Sequence, residues 1–121
     1  MKRNIKVIVC GGRDYRLTQM DLEILQGFHD RFNFIQLLSG NCFGADQDAE
    51  AWAKTRNIPV KTFIPNWVLE GKKAGPLRNQ EMADEADFCI CFPGGKGTED
   101  MKNRAIKKGA YVIVLKPPAS E

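Results

Sequence analysis

The sequence predicts an α/β fold: a single three-layer domain, residues 1–121, with a mainly parallel five-stranded sheet. Three observations lead there. Short apolar, β-branched runs alternate with amphipathic stretches of helical spacing, the pattern of strands joined by crossover helices. The runs Ile5–Cys10 and Phe88–Phe92 are apolar along most of their length, as in strands covered on both faces. The chain has 121 residues, of which 43% are hydrophobic, enough for one domain with a real core and too many for a disordered chain.

The elements follow in order. Ile5–Cys10 reads as a central first strand that stops at Gly11-Gly12-Arg13-Asp14-Tyr15. A helix is expected from about Thr18 to Phe32, with Met20, Ile24, Leu25, Phe28 and Phe32 on its apolar face. Phe34–Leu38 is the second strand, ending at Ser39-Gly40. The loop Asn41–Gly44 leads to a helix over Ala45–Arg56, with Ala49, Trp52 and Ala53 inward and Trp52 a core residue or a subunit contact. Asn57-Ile58-Pro59 ends it, and Val60–Phe63 is the third strand. Ile64 to Pro76 reads as a long polar loop, and a loop of that length in a compact domain is often functional. Leu77–Glu85 is a helix and Asp87–Phe92 the fourth strand. A helix over Met101–Lys108, capped by Gly109, and a fifth strand over Tyr111–Leu115 complete the set, with Pro117-Pro118 closing the fold.

Composition narrows the classes. The formal net charge is +3, too mild to imply nucleic-acid binding, and no apolar run is long enough to span a bilayer. Ile5–Cys10 is too short for a signal-peptide core, so a cytoplasmic protein is expected. Cys10, Cys42, Cys89 and Cys91 lack the CxxC spacing of metal sites and read as reduced, partly buried thiols. The lone His29 gives no basis for a histidine site, and no metal or redox cofactor is expected.

Ligands of parallel sheets bind at the carboxyl ends of the strands. That rule gathers four polar or glycine-rich segments on one rim: Gly11–Tyr15, Ser39–Asp46, Trp67–Asn79 and Pro93–Asp100. In the last of these, Pro93-Gly94-Gly95-Lys96-Gly97-Thr98 joins a buried strand to a helix, with Thr98 where an N-cap belongs. Glycine lets backbone approach a ligand, and a helix N-terminus offers free N–H groups to an anion. A phosphate cradle is the functional reading and a tight capped turn the plain one. Gly11-Gly12-Arg13-Asp14-Tyr15 is not a GxGxxG fingerprint and reads either as a βα turn or as a ligand loop. Arg78 is either a solvent-facing helix residue or a bidentate clamp for phosphate or ribose. Asp46 either supports its helix dipole or meets a ribose, and Trp67 packs in the core or stacks on a base. Arg104, Lys107 and Lys108 form a basic face, solvated or turned to DNA.

Val9–Tyr15, Ser39-Gly40 with Gly44-Ala45-Asp46, Trp67, Gly71-Lys72 with Ala74-Gly75-Pro76, Arg78-Asn79 and Pro93–Thr98 together resemble the YspA-type, cpYpsA-related branch of the SLOG superfamily. The resemblance implies a Rossmann-like domain that binds nucleotides or nucleotide-derived ligands. Related LOG proteins are phosphoribohydrolases that release a base from a nucleoside monophosphate, and others are DprA-type DNA-processing proteins. The LOG pattern Arg-Lys-x-x-Met is similar to Arg78–Met82, with Asn79 in place of lysine. Its Pro-Gly-Gly-x-Gly-Thr-x-x-Glu is matched from Pro93 to Thr98, but the catalytic glutamate falls on Met101. A thioether can neither accept a proton nor stabilise an oxocarbenium ion. Glu99 and Asp100 are adjacent, but each residue step turns a helix by about 100°.

The leading expectation is therefore a nucleotide-binding or sensing module for an ADP-ribose- or NAD-like ligand. Its contacts would come from Gly11, Gly12, Arg13, Asp14, Tyr15, Ser39, Gly40, Gly44, Asp46, Trp67, Lys72, Arg78, Asn79 and Pro93, Gly94, Gly95, Lys96, Gly97, Thr98. The alternative is an N-glycosidic hydrolase in which Arg78 acts with a carboxylate, Asp100 or Glu81, or Asp14 or Asp46 from the other loops. A DNA-associated role is the third. The resemblance also implies a homodimer or larger assembly, with Trp52 and the Met20–Phe32 face as contacts.

Overall fold

A computed structural model describes residues 3–116, so the predicted ending at Pro117-Pro118 lies outside the described residues. Five parallel strands, β1 (Ile5–Cys10), β2 (Phe34–Ser39), β3 (Val60–Thr62), β4 (Phe88–Cys91) and β5 (Tyr111–Val114), lie in the order β3-β2-β1-β4-β5. The chain runs outward from β1 to β3, returns to place β4 on the other side of β1, and ends on β5. The direction of winding therefore reverses between β1 and β4, and that reversal leaves a crevice at their carboxyl ends. Backbone bonds carry the ladders slightly further: Phe92 N–H donates to Cys10 O and Leu115 N–H to Cys91 O, both at 2.8 Å.

Alternation of side chains across the sheet builds two cores. Val7 and Val9 of β1, Leu37 of β2 and Phe88 and Ile90 of β4 face one side. They pack against Leu25 of α1 (Gln19–Phe32) and Ala49, Trp52 and Ala53 of α2 (Ala45–Thr55). Ile8 and Cys10, Leu38, and Cys89 and Cys91 face the other side. They meet Met82 and Ala83 of α4 (Ala74–Glu85) and Met101 and Ala105 of α5 (Lys96–Lys108). Each large apolar side chain so buried contributes roughly 1.5–3 kcal/mol.

Three expectations about the elements need correction. Thr18 is the N-cap of α1 and not its first turn: its hydroxyl accepts from Asp21 N–H while Asp21 accepts from Thr18 N–H, a reciprocal box that stabilises the helix by about 1 kcal/mol. Met20 is 62% exposed, because it lies about 140° around the helix from the buried Leu25. Of the two readings of Trp52, core or subunit contact, its 5% exposure bears out the core. The stretch 64–76 is not a plain loop: it holds a short helix α3 (Trp67–Glu70), a 3-10 turn (Gly71–Lys73) and the start of α4. Pro76 lies in the first turn of α4, which begins at Ala74 and not at Leu77. There a proline nitrogen has no intrahelical partner to lose.

Candidate functional site

A cleft of about 960 Å³ opens over the crevice between β1 and β4. It is lined by Gly11–Tyr15 after β1, by Gly40, Cys42 and Asp46 after β2, by Trp67, Gly75, Pro76, Arg78, Asn79 and Met82, and by Pro93–Thr98, Asp100 and Met101. All four rim segments contribute to it.

The glycine stretch forms the mouth of α5, one turn earlier than the sequence suggests. Gly95 is the N-cap, with no side-chain cap bond, and Thr98 lies inside the helix. The first intrahelical bond is Glu99 N–H to Gly95 O, so the N–H groups of Lys96, Gly97 and Thr98 lack a partner within the helix. The glycines have different reasons to be there. A Cβ on Gly94 would lie 2.7 Å from Gly12 N and collide with Thr98 Oγ1, so Gly94 is demanded by the packing of the β1 and β4 loops. The bond from Gly12 N–H to Pro93 O, 2.8 Å, ties the same two loops. Gly95 and Gly97 have nothing within 4 Å of an added Cβ, so protein packing does not require them.

A polar chain forms the inner wall. Arg78 Nη1 donates to Gly40 O at 2.8 Å and Nε to Asn79 Oδ1 at 2.9 Å. Asn79 Nδ2 donates to Asp100 Oδ2 at 2.9 Å, and Arg104 Nε donates to the same oxygen at 2.9 Å. Arg78 Nη1 also donates to Phe63 O at 3.4 Å, so Nε and Nη1 are committed to the protein and Nη2 is left to face a ligand. Burial opposes ionisation of Asp100, but the hydrogen bonds from Arg104 and Asn79 hold its carboxyl below the usual range.

Asp46 is different. It is 6% exposed, and burial pushes its carboxyl up to about 6, against the pull of the Cys42 backbone N–H and the Arg78 guanidinium. Arg78 and Asp46 meet at Gly40, where an added Cβ would stand 2.8 Å from Arg78 Nη1 and 3.2 Å from Asp46 Oδ2. Tyr15 stacks on Phe92 and donates to Asp21 Oδ2 at 2.6 Å, a bond that pushes the phenol up to about 12. Met101 is 2% exposed and brings a thioether to the wall. Trp67 is 54% exposed at the cleft edge, its ring beside Gly75. It does not pack in the core.

Some residues read as site residues lie off the lining. Ser39 is buried and donates to Glu50 Oε2 at 2.6 Å. Gly44 caps α2 at φ 84°, and Lys72 is exposed on the 3-10 turn. Glu81 is exposed on α4 and is not among the residues lining the cleft, although it stands one turn from Arg78. Others were missed. Glu50 and Asp21 hold Ser39 and Tyr15, and Arg104 is not simply a solvated basic face but holds Asp100. The i,i+4 spacing of Asp100 and Arg104 was the available signal. Three thiols also converge: Cys91 Sγ lies 3.6 Å from both Cys10 Sγ and Cys89 Sγ, and hydrogen bonds from these two hold Cys91 below the ordinary thiol range. CxC spacing on a strand puts both thiols on one face, a signal that a search for CxxC overlooks.

Residues 5–69 match the model of the YspA, cpYpsA-related SLOG family, and the chain belongs to that family. It is also similar to the Gene 61 protein of Mycobacterium phage D29, 33% identical over 118 residues that cover 89% of this chain and 94% of that protein. Among solved structures it resembles 1-deoxy-D-xylulose 5-phosphate reductoisomerase from Zymomonas mobilis in complex with NADPH, with a TM-score of 0.54 and 22% identity. The likeness covers 96% of this chain but only 32% of that one, so this chain spans about a third of it and the likeness bears on the fold alone. The family segment carries the loops after β1 and β2 and reaches Trp67; Arg78 and the Pro93–Thr98 loop lie beyond it. No helix among the described residues is long and apolar enough to cross a membrane.

Proposed function

We propose that this chain is a nucleotide-binding module whose ligand carries a phosphate or diphosphate, of the ADP-ribose or NAD class, and that it senses or holds this ligand. The observation that carries the reading is the mouth of α5. Unpartnered N–H groups at Lys96, Gly97 and Thr98, with the positive end of the helix dipole, open on a cleft at the β1/β4 reversal. Arg13 and Lys96 add positive charge to that cleft, and the exposed ring of Trp67 offers a stacking surface for a base. The domain acts as one unit over residues 1–121. The free thiols suit the reducing cytoplasm. Self-association would use the exposed apolar Phe43, Val68 and Leu69, neighbours in sequence of the cleft residues Cys42 and Trp67.

A second reading, hydrolysis of an N-glycosidic bond, has one observation in its favour. Asp46 is a buried carboxyl near pH-neutral proton affinity, beside Arg78 in the same cleft. Against it stand Met101 where the glutamate of the LOG pattern falls, and Asp100 tied up by Asn79 and Arg104. A panel of NAD, ADP-ribose, AMP and other nucleoside monophosphates separates the readings, scored for thermal shift and for released base. Stabilisation without base release supports binding and rejects hydrolysis of those substrates. Neither shift nor turnover with any member counts against the nucleotide reading itself.

A further inference from the structure

The cleft floor holds a cluster that nucleotide binding does not use. Cys10 ends β1, and Cys89 and Cys91 lie on β4, with Cys10 and Cys91 direct partners in the parallel register. All three side chains point to the same face of the sheet and are buried, and their sulfurs lie within 4.8 Å of one another. Three of the four cysteines in the chain thus meet at one point, although 79 residues separate Cys10 from Cys89. The surroundings are soft and apolar. Met82 and Met101 share the cluster, and no carboxylate or imidazole is among its members.

We propose that Cys10, Cys89 and Cys91 form a binding site for one thiophilic divalent cation, of the zinc or cadmium class, at the floor of the cleft. The spacing suits this. Metal–sulfur bonds of about 2.3 Å set coordinating sulfurs about 3.8–4.0 Å apart. The two 3.6 Å separations need to widen by only a few tenths of an ångström. The donor set selects the metal: thiolates favour zinc and softer ions, while magnesium and calcium require oxygen ligands. A divalent charge offsets two of the three thiolates, which an apolar interior could not hold alone, and the Lys102 ammonium acts on Cys91 to offset the third. Binding releases the thiol protons to solvent. Cys10 gives the ion a way in, because it is 7% exposed and lines the cleft. A cation there would tie together the strand ends from which Gly11-Gly12 and Pro93–Gly97 depart, bracing the two loops that form the cleft mouth. The site stands independently of what the cleft binds.

The test is titration of the reduced, metal-free full chain with Cd(II), followed by ultraviolet absorption. The expected result is a sulfur-to-metal charge-transfer band that saturates at one ion per chain. Cys91→Ala should abolish the band or weaken affinity by more than about 100-fold, beyond the loss of an outer-sphere contact. Cys42→Ser should leave the band intact. Cadmium-113 NMR of the wild-type chain provides a readout that needs no variant to fold: one resonance at a sulfur-rich shift supports the site. No band in the folded wild-type chain, a band lost with Cys42→Ser, or a resonance typical of oxygen and nitrogen ligands would overturn it.

Discussion

Replacing Asp46 by asparagine should make the protein more stable at neutral pH while weakening its site. The native carboxyl titrates at about 6 against an ordinary value of 3.8, mainly because it is buried. The native state therefore holds this proton more tightly than the unfolded chain does. By linkage, stability is greatest below the ordinary value and falls as pH rises through the window from 3.8 to about 6. A gap of about two units corresponds to about 3 kcal/mol at neutral pH. That gap is already net of the Cys42 N–H bond and the Arg78 charge, so asparagine, which does not ionise, removes the cost with no further charge contribution to subtract. Asp46→Asn should thus gain about 2–3 kcal/mol at neutral pH, a rise in Tm of roughly ten degrees. Urea denaturation of both proteins from about pH 4.5 to about pH 7.5 gives the check, since the two stability curves should separate by about 2 kcal/mol across that range. Taking the difference between the proteins cancels the other titrating groups. A separation that stays constant with pH, or grows toward acid, would refute the burial account of Asp46.

Other perturbations follow from the same geometry. Gly94→Ala places a methyl 2.7 Å from Gly12 N, so it should cost about 1–3 kcal/mol in thermal denaturation and disrupt the cleft mouth. Gly97→Ala, with open space around its Cβ, should fold normally and lose affinity in calorimetric titration only if ligand backbone contact occurs there. Arg78→Lys should fail to restore the affinity lost in Arg78→Ala, because an ammonium cannot reach Gly40 O and Asn79 Oδ1 together as the guanidinium does. Trp67→Ala should leave the melting temperature nearly unchanged, since the ring is 54% exposed, but weaken nucleotide binding by about 1–3 kcal/mol if it stacks on the base.

The layout of the fold was legible because strand and helix periodicities are local. Ile5–Cys10 is bounded in the structure as in the sequence, and each of the other strands is found within a residue or two. The rim was legible for a related reason: a parallel sheet puts all its strand ends on one side, so Gly11, Gly40 and Pro93 had to converge. The misreadings came where local signals compete. Gly71, Gly75 and Pro76 look like loop, yet a proline in a first turn costs nothing. Thr98 looks like a cap, but Gly95 takes that place and Thr98 fills the space beside Gly94. What could not be read at all was long-range partnering. No local pattern ties Ser39 to Glu50, Arg78 to Gly40, or Cys10 to Cys91. Those pairs depend on strand register and helix rotation.

The central claim is that a nucleotide phosphate sits on the N-terminus of α5. An amide-resolved ¹⁵N NMR titration of the full chain with ADP-ribose tests it most directly. The account predicts saturable shifts concentrated at Gly12 and at Lys96, Gly97 and Thr98, with the Trp67 indole N–H moving in step. Saturable shifts confined to another surface, such as the groove between α1 and α2, would contradict it.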